Sequence, residues 1–285
     1  FMFAPSIVNI PRWSEEHREC FQPPICNKLL HRHDLSIMLV GGPNTRTDFH
    51  LEDGSELFLQ LRGDMTLPTL QCGKRKDVVI KEGHLFILPS RIPHSPQRKE
   101  NTLGLVIERA RNEGEKDALM WFTDESCQEK LFERYFVCND LGKDLVPVVN
   151  EFKASSEFTT RAPTSTSVHS DPPCKQNVSL YVPDPMNLAS FFEQHKGALE
   201  KGEVIDFTKA VGHPDREFKV LVAGSSAALP GVTCSLETFV FQFAGEGSLE
   251  VTGLPEGAGA GATGVKAMVA GDCVLLPRGA AFSLL

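Results

Sequence analysis

Long apolar runs are absent from this chain of 285 residues: none approaches the roughly 20 residues that a helix needs to cross a bilayer. A surplus of positive charge is absent too. Lys and Arg number 29 against 37 Asp and Glu, for a net charge of -8. That argues against a nucleic-acid partner, which wants a basic face. Small anionic ligands stay open, because a few local arginines serve those. The opening Phe1-Met-Phe-Ala-Pro5 lacks the basic stretch of a secretory leader. A start at Phe1 and a stop at Leu285, straight after an apolar run, leave room for missing residues at either end. The eight cysteines, at 20, 26, 72, 127, 138, 174, 234 and 273, include no Cys-x-x-Cys. Disulfide frameworks of secreted proteins are more often clustered, so reduced thiols and a cytosolic location are expected. Without a leader, Asn177-Val-Ser179 is read as a chance glycosylation sequence.

What is present fits a globular protein with room for two domains: 41% of residues are hydrophobic and 23% charged. Leu35–Val40, Glu56–Arg62, Asp77–Ile80, Leu85–Leu88 and Leu103–Ile107 read as short strands bounded by Gly, Pro or Asn. Strands at that spacing predict a barrel or sandwich. Within Glu56–Arg62, period two puts Glu56, Phe58 and Gln60 on one face and Leu57, Leu59 and Leu61 on the other. The Glu56 face is assigned to the interior. Helices are expected over Pro11–Cys20, with Ser14 as a cap, over Lys143–Phe158, with Pro147 near its first turn, and over Leu188–Leu199, closed by Gly202. Arg161–Gln176, rich in Pro, Ser and Thr, reads as a linker. The expected organisation is a first domain over 1–160, a linker over 161–177 and a second domain over 178–285.

The chain is organised around Asn44–Arg98. Six residues separate Glu56 from Gly63, five separate Gly83 from Pro89, and His94 follows Pro89 after four more. These are the intervals of the two cupin motifs, in which a small β-barrel points histidines and a glutamate at one metal. Several independent spacings agree at once, which makes the match specific. The departures are informative. The usual His-x-His opens here with Asp48, as Asp48-Phe-His50. Arg91 replaces the glycine two after Pro89, and Arg98 replaces the asparagine four after His94. What remains is His50, Glu56 and His94. Two imidazoles and one carboxylate form the facial triad typical of non-haem Fe(II) oxygenases, with positions on the metal left open.

The second half repeats the frame. Thr238–Gly245 lines up with Glu56–Gly63, and Gly271–Pro277 with Gly83–Pro89. Thr238 then stands where Glu56 does, and Phe282 where His94 does; Glu237 is one residue off and faces the other way. The expectation is an all-β-dominated bicupin of two double-stranded β-helix (jelly-roll) barrels with a few short helices, the second without metal ligands. Gly257–Ala262 reads as a flexible loop between the matching pieces.

With Asn44-Thr-Arg46, Pro93-His94-Ser-Pro-Gln-Arg98, Val106-Ile-Glu108-Arg109, Phe21-Gln-Pro-Pro-Ile-Cys-Asn27 and Gly41-Gly-Pro-Asn-Thr-Arg46 added, the chain resembles the 3-hydroxyanthranilate 3,4-dioxygenase family. The resemblance is dense from about Phe21 to Phe158. It implies an iron-dependent extradiol dioxygenase that opens 3-hydroxyanthranilate with O2 to 2-amino-3-carboxymuconate semialdehyde, the precursor of quinolinate on the route from tryptophan to NAD. It implies Fe(2+) on His50, Glu56 and His94. Arg98, Glu108 and Glu56 would meet the substrate, and Arg46 and Asn27 would lie on the dioxygen side, with Glu108 and Arg46 taking part in catalysis. Some bacterial members carry a further iron site on Cys-x-x-Cys pairs, which this chain lacks. Because a fused second barrel can stand in for a partner subunit, a monomer is expected, with no nucleic-acid or membrane partner.

His31-Arg-His33 is a clean His-x-His, but no carboxylate stands at a fitting interval, so solvated histidines are expected. His84 reads as structural, and His195 as a packed helix residue. Arg46, Arg98 and Glu108 taken singly could be surface charges or a structural pair. A cupin dioxygenase of another small molecule and a non-enzymatic metal-binding bicupin remain as alternatives. Oxygen uptake with a substrate panel separates the first, and metal content with activity after anaerobic Fe(II) loading the second.

Overall fold

Alternation along short strands, not helical spacing, shapes most of the chain. The computed structural model describes residues 5–21, 26–44, 46–214, 216–224, 227, 229–258 and 263–284. It forms two compact units. One comprises residues 20–190 and 211–219, the other residues 1–19, 191–210 and 220–285.

In the first unit an antiparallel sheet runs Met186–Asn187, His84–Leu88, Glu56–Arg62, Leu103–Arg109, Leu35–Gly41, Asn27–Arg32. A second layer is built from Lys130–Phe136, Asp117–Phe122 and Phe49–Leu51, and from Lys74–Ile80, Met65–Gln71 and Gln97–Arg98. His94 stitches its two parts together. Its backbone bridges both His50 and Thr69, exchanging bonds of 2.7 and 2.9 Å with His50. The core lies between the layers: Phe58, Phe86, Leu88 and Val106 from the first meet Met65, Leu67, Val78 and Ile80 from the second. Phe58 shares a face with Glu56, so the Glu56 face is the interior one. Leu57 and Leu59 on the other face are buried as well, which explains why the strand is apolar on both sides.

The second unit has the same frame. Val8–Asn9, Asp272–Leu276 and Thr238–Phe241 form one sheet, and Leu229–Thr233, Ala281–Leu284, Glu246–Gly253 and Gly264–Val269 another. Thr238 pairs with Leu276 as Glu56 pairs with Leu88, and Phe241 with Cys273 as Leu59 with Leu85. The internal repeat is therefore kept to the residue, and the fold is that of a bicupin.

The unit bounds differ from the expected 1–160, 161–177 and 178–285. The irregular segment predicted as a linker is instead strapped to the first unit. Ser167 O accepts from Glu133 N at 2.9 Å, Asn177 N donates to Arg91 O at 2.6 Å, and Cys174 and Val182 are buried. The opening helix, Ile10–Glu16, is capped by Asn9, while Ser14 sits inside it and donates to Pro11 O. Lys143–Phe158 becomes Leu141–Ala154 and Ser156–Thr160. Pro147 is interior to the first of these and not in its opening turn. The helix expected over Leu188–Leu199 divides at His195, whose ring lies 4.4 Å from that of Phe191. The strands Asn27–Arg32, Met65–Gln71, Asp117–Phe122 and Lys130–Phe136 were not predicted; Pro68 and interspersed charges disguised two of them. Most of the predicted loop Gly257–Ala262 lies outside the described residues, as does the middle of Phe21–Asn27.

Candidate metal centre and active site

Each member of the predicted triad comes from a different strand or turn. His50 lies on Phe49–Leu51, Glu56 opens Glu56–Arg62, and His94 follows the turn after His84–Leu88. Their ligand atoms lie within 4.8 Å of one another, and all three residues are buried. Each imidazole has one nitrogen committed as a donor. His50 Nε2 donates to Asp117 Oδ2 at 2.8 Å, and His94 Nδ1 donates to Ile92 O at 3.1 Å. When the rings are neutral, this leaves His50 Nδ1 and His94 Nε2 to carry the lone pairs, the arrangement that orients histidine ligands of metals.

Glu56 Oε1 lies 2.8 Å from His94 Nε2, but without the alignment of a hydrogen bond, so this buried oxygen has no donor. Burial pushes the Glu56 carboxyl up, and His94 beside it pulls it further down, well below the usual range. For His94, burial opposes charge and Glu56 more than offsets it, so its pKa is raised. Burial lowers that of His50. A buried carboxylate oxygen without a donor, facing two oriented imidazoles, fits a divalent cation.

Around Glu56 is a second group that the sequence reading missed. Glu52, Glu56 and Glu108 bring their carboxylates within 4.8 Å of one another, and Arg111 binds this cluster. It pairs with Glu108, with Glu52 at 2.5 Å and with Asp117 at 2.9 Å. Burial pushes the Glu108 carboxyl up to about 7 against the pull of Arg111. Burial, and then Glu108, raise that of Glu52 well above the usual range. A signal for Glu52 was present, since period two puts it on the face of His50. Asp117 was also visible as the one acid of the apolar run Asp117-Ala-Leu-Met-Trp-Phe122. Nothing in the sequence marked Arg111.

The other expected residues divide. Glu108 is 1% exposed and pairs in register with Glu56. With Asn27, Arg111 and Cys138 it lines a cavity of about 380 Å³. Arg98 is buried with its Nε unpartnered; burial brings its pKa down to about 10, although Glu56 is near enough to oppose the shift. It lines a different cavity, of about 320 Å³, with Asn44 and Met65. Arg46 is held by Asp48, its Nε 3.0 Å from both carboxylate oxygens. The Asp that opens the modified His-x-His pattern is thus an arginine partner. His31 and His33 join no metal-like group among the described residues. Nor is His31 solvated as expected: its Nε2 is buried.

Residues 2–153 match the family described as 3-hydroxyanthranilic acid dioxygenase. The chain is 42% identical over 245 residues to the 3-hydroxyanthranilate 3,4-dioxygenase of Rattus norvegicus, covering 86% of this chain and 82% of that one. To its Xenopus laevis counterpart it is 39% identical over 278 residues, 97% of this chain and 92% of the other. The chain belongs to the 3-hydroxyanthranilic acid dioxygenase family. Among solved structures, a cupin 2 conserved barrel domain protein from Leptotrichia buccalis aligns with a TM-score of 0.46 at 10% identity, over 99% of this chain and 91% of that one. Family membership covers the whole triad, together with Asn27, Arg46, Arg98 and Glu108, within the matched residues.

Proposed function

We propose that this chain is an Fe(II)-dependent extradiol dioxygenase that opens 3-hydroxyanthranilate with O2 to 2-amino-3-carboxymuconate semialdehyde. The observation that carries the reading is the convergence of His50, Glu56 and His94 within 4.8 Å, in a chain of this family. His50, Glu56 and His94 would hold the iron; two imidazoles and a carboxylate are the donor set of non-haem Fe(II) oxygenases. Bound there, Fe(II) supplies sites on which ring and dioxygen become neighbours and a route for electrons between them.

The remaining work falls to the side chains. Arg98, buried with a free Nε, offers a planar donor fork to the substrate carboxylate. Glu108 stands both beside Glu56 and on the wall of the larger cavity, placed to take protons from the ring amine and hydroxyl. Arg46 would stabilise charge developing on reduced oxygen, and Asn27 would share the dioxygen side of the metal. The second barrel, with Thr238 and Phe282 where the first has Glu56 and His94, implies one metal per chain, and a fused second barrel that fills the place of a partner implies a monomer. The free thiols of Cys26, Cys72, Cys127, Cys138, Cys174, Cys234 and Cys273 support a reducing compartment such as the cytosol.

The test is oxygen uptake with 3-hydroxyanthranilate after anaerobic Fe(II) loading, alongside other ring-cleavage substrates. Turnover of 3-hydroxyanthranilate, dependent on Glu56 and on iron, is expected. Metal binding without oxygen uptake on any substrate would overturn it in favour of a binding protein.

A further inference from the structure

Arg111 is the cation on which the buried acids of the site converge. Its Nη2 and Nε reach the two oxygens of Asp117 at 2.9 and 3.2 Å, a two-point contact of the kind a planar guanidinium makes. Its Nη1 donates to Glu108 Oε2. Asp117 Oδ2 is also the oxygen that accepts from His50 Nε2. Asp117 opens the strand Asp117–Phe122, on which Leu119 pairs with His50. Glu108 belongs to Leu103–Arg109 in the opposite layer. Arg111, in the connection between these strands, ties one layer to the other at the site. Among the described residues, the ion pairs of Glu108 and Asp117 are with Arg111 and, for Asp117, with His50.

We infer that Arg111 is a positioning residue: through Asp117 it sets the His50 ring, and directly it sets Glu108, so one guanidinium aligns a metal ligand with the acid that meets the substrate. This rests on the reading that His50 holds the metal and Glu108 faces the substrate. The remaining pair of Arg111 is with Glu52 at 2.5 Å, and its contacts with Asp117 and Glu108 use separate donors of one flat fork, which reaches both layers at once. A lysine keeps the charge but has no flat fork. Its single ammonium gives up the two-point contact with Asp117 and the separate contact with Glu108 that the fork makes at the same time.

The experiment is an anaerobic Co(II) titration, followed by the visible absorption of the bound ion, on wild type, R111K, D117N and the double variant, with steady-state kinetics of the iron-loaded forms. Outer partners of histidine ligands are worth about 10–100-fold in metal affinity. R111K and D117N should each weaken Co(II) by about that factor and alter its spectrum. The double variant should be little weaker than the worse single one, because both act through His50. At saturating iron, D117N should recover more of its kcat/KM than R111K, since only R111K also releases Glu108. If R111K binds Co(II) as wild type does with an unchanged spectrum, or if the double variant loses the product of the two single losses, the inference is overturned. Should R111K fail to fold, R111K/E52Q, which removes one acid left under-neutralised, carries the same comparison against E52Q. A wild type that takes up neither Co(II) nor Fe(II) overturns the metal reading beneath, which is a separate result.

Discussion

The two cupin frames of this chain are the same backbone put to two uses. In the first, His50 bridges His94 and Glu56 pairs with Leu88; in the second, Val232 pairs with Phe282 and Thr238 with Leu276. Even a turn bond is shared: Arg91 N donates to Glu52 O at 2.9 Å, and Gly279 N to Cys234 O at 2.8 Å. Where the first frame converges two imidazoles and a carboxylate, the second packs Val232 and Phe282 into an apolar cluster with Leu249, Val251 and Leu276. Ligand convergence is thus no requirement of the fold. Buried polar groups oppose folding unless they are paired, and the first frame carries that burden with Asp117, Arg111 and the backbone of Ile92. The second, with Val232 and Phe282 at the two histidine positions, is stabilised by them.

This contrast can be broken from either side. The largest expected effect is from Glu56→Thr, which gives the first frame the residue of the second. Since an outer partner alone is worth about 10–100-fold, loss of a direct ligand should exceed that, and metal analysis after anaerobic loading should find almost none retained. Next is Phe282→Ala, expected to destabilise the second unit by about 3–5 kcal/mol. Denaturant titration should show it, while metal content stays at the wild-type level. A loss of metal there would mean the second frame is not independent of the first.

Arg98→Ala tests the clamp. A charge-assisted contact is worth roughly 1.5–3 kcal/mol, so kcat/KM for 3-hydroxyanthranilate should fall by about 10- to 150-fold. That for 2-aminophenol, which lacks the carboxylate, should change little. Equal losses on both would assign Arg98 to the metal or the fold. The smallest effect is at the shared turn. Arg91 has φ 59° and Gly279 φ 85°, the left-handed region that penalises a side chain by about 1–2 kcal/mol. Glycine weakens the folded state by roughly 0.5–1 kcal/mol through chain entropy. Arg91→Gly should therefore raise stability by no more than about 1.5 kcal/mol. Gly279→Ala should lower it by up to about 1.5 kcal/mol, from the same two effects with their signs reversed; both changes are read from denaturation midpoints.

The sequence by itself determined the frame and the triad. Strand period puts Glu56 and Phe58 on one face, and the motif intervals hold His50, Glu56 and His94 to register, because both depend only on local geometry and on spacing along the chain. That Thr238 and Phe282 stand in the second frame where Glu56 and His94 stand in the first was legible for the same reason. Only the tertiary structure decided what surrounds the triad. Arg111 lies 61 residues from His50 in number, counted from the two positions, and reaches it through Asp117 because a cross-sheet register brings them together. It decided that Arg98 and Glu108, which line different cavities, both come near Glu56. It also fastened residues 161–177 to the first unit, where backbone bonds to Glu133 and Arg91 hold a segment whose composition reads as a loose connection. Charge networks and straps of this kind leave no periodic trace, since their partners are set by which strands pair and not by neighbours along the chain.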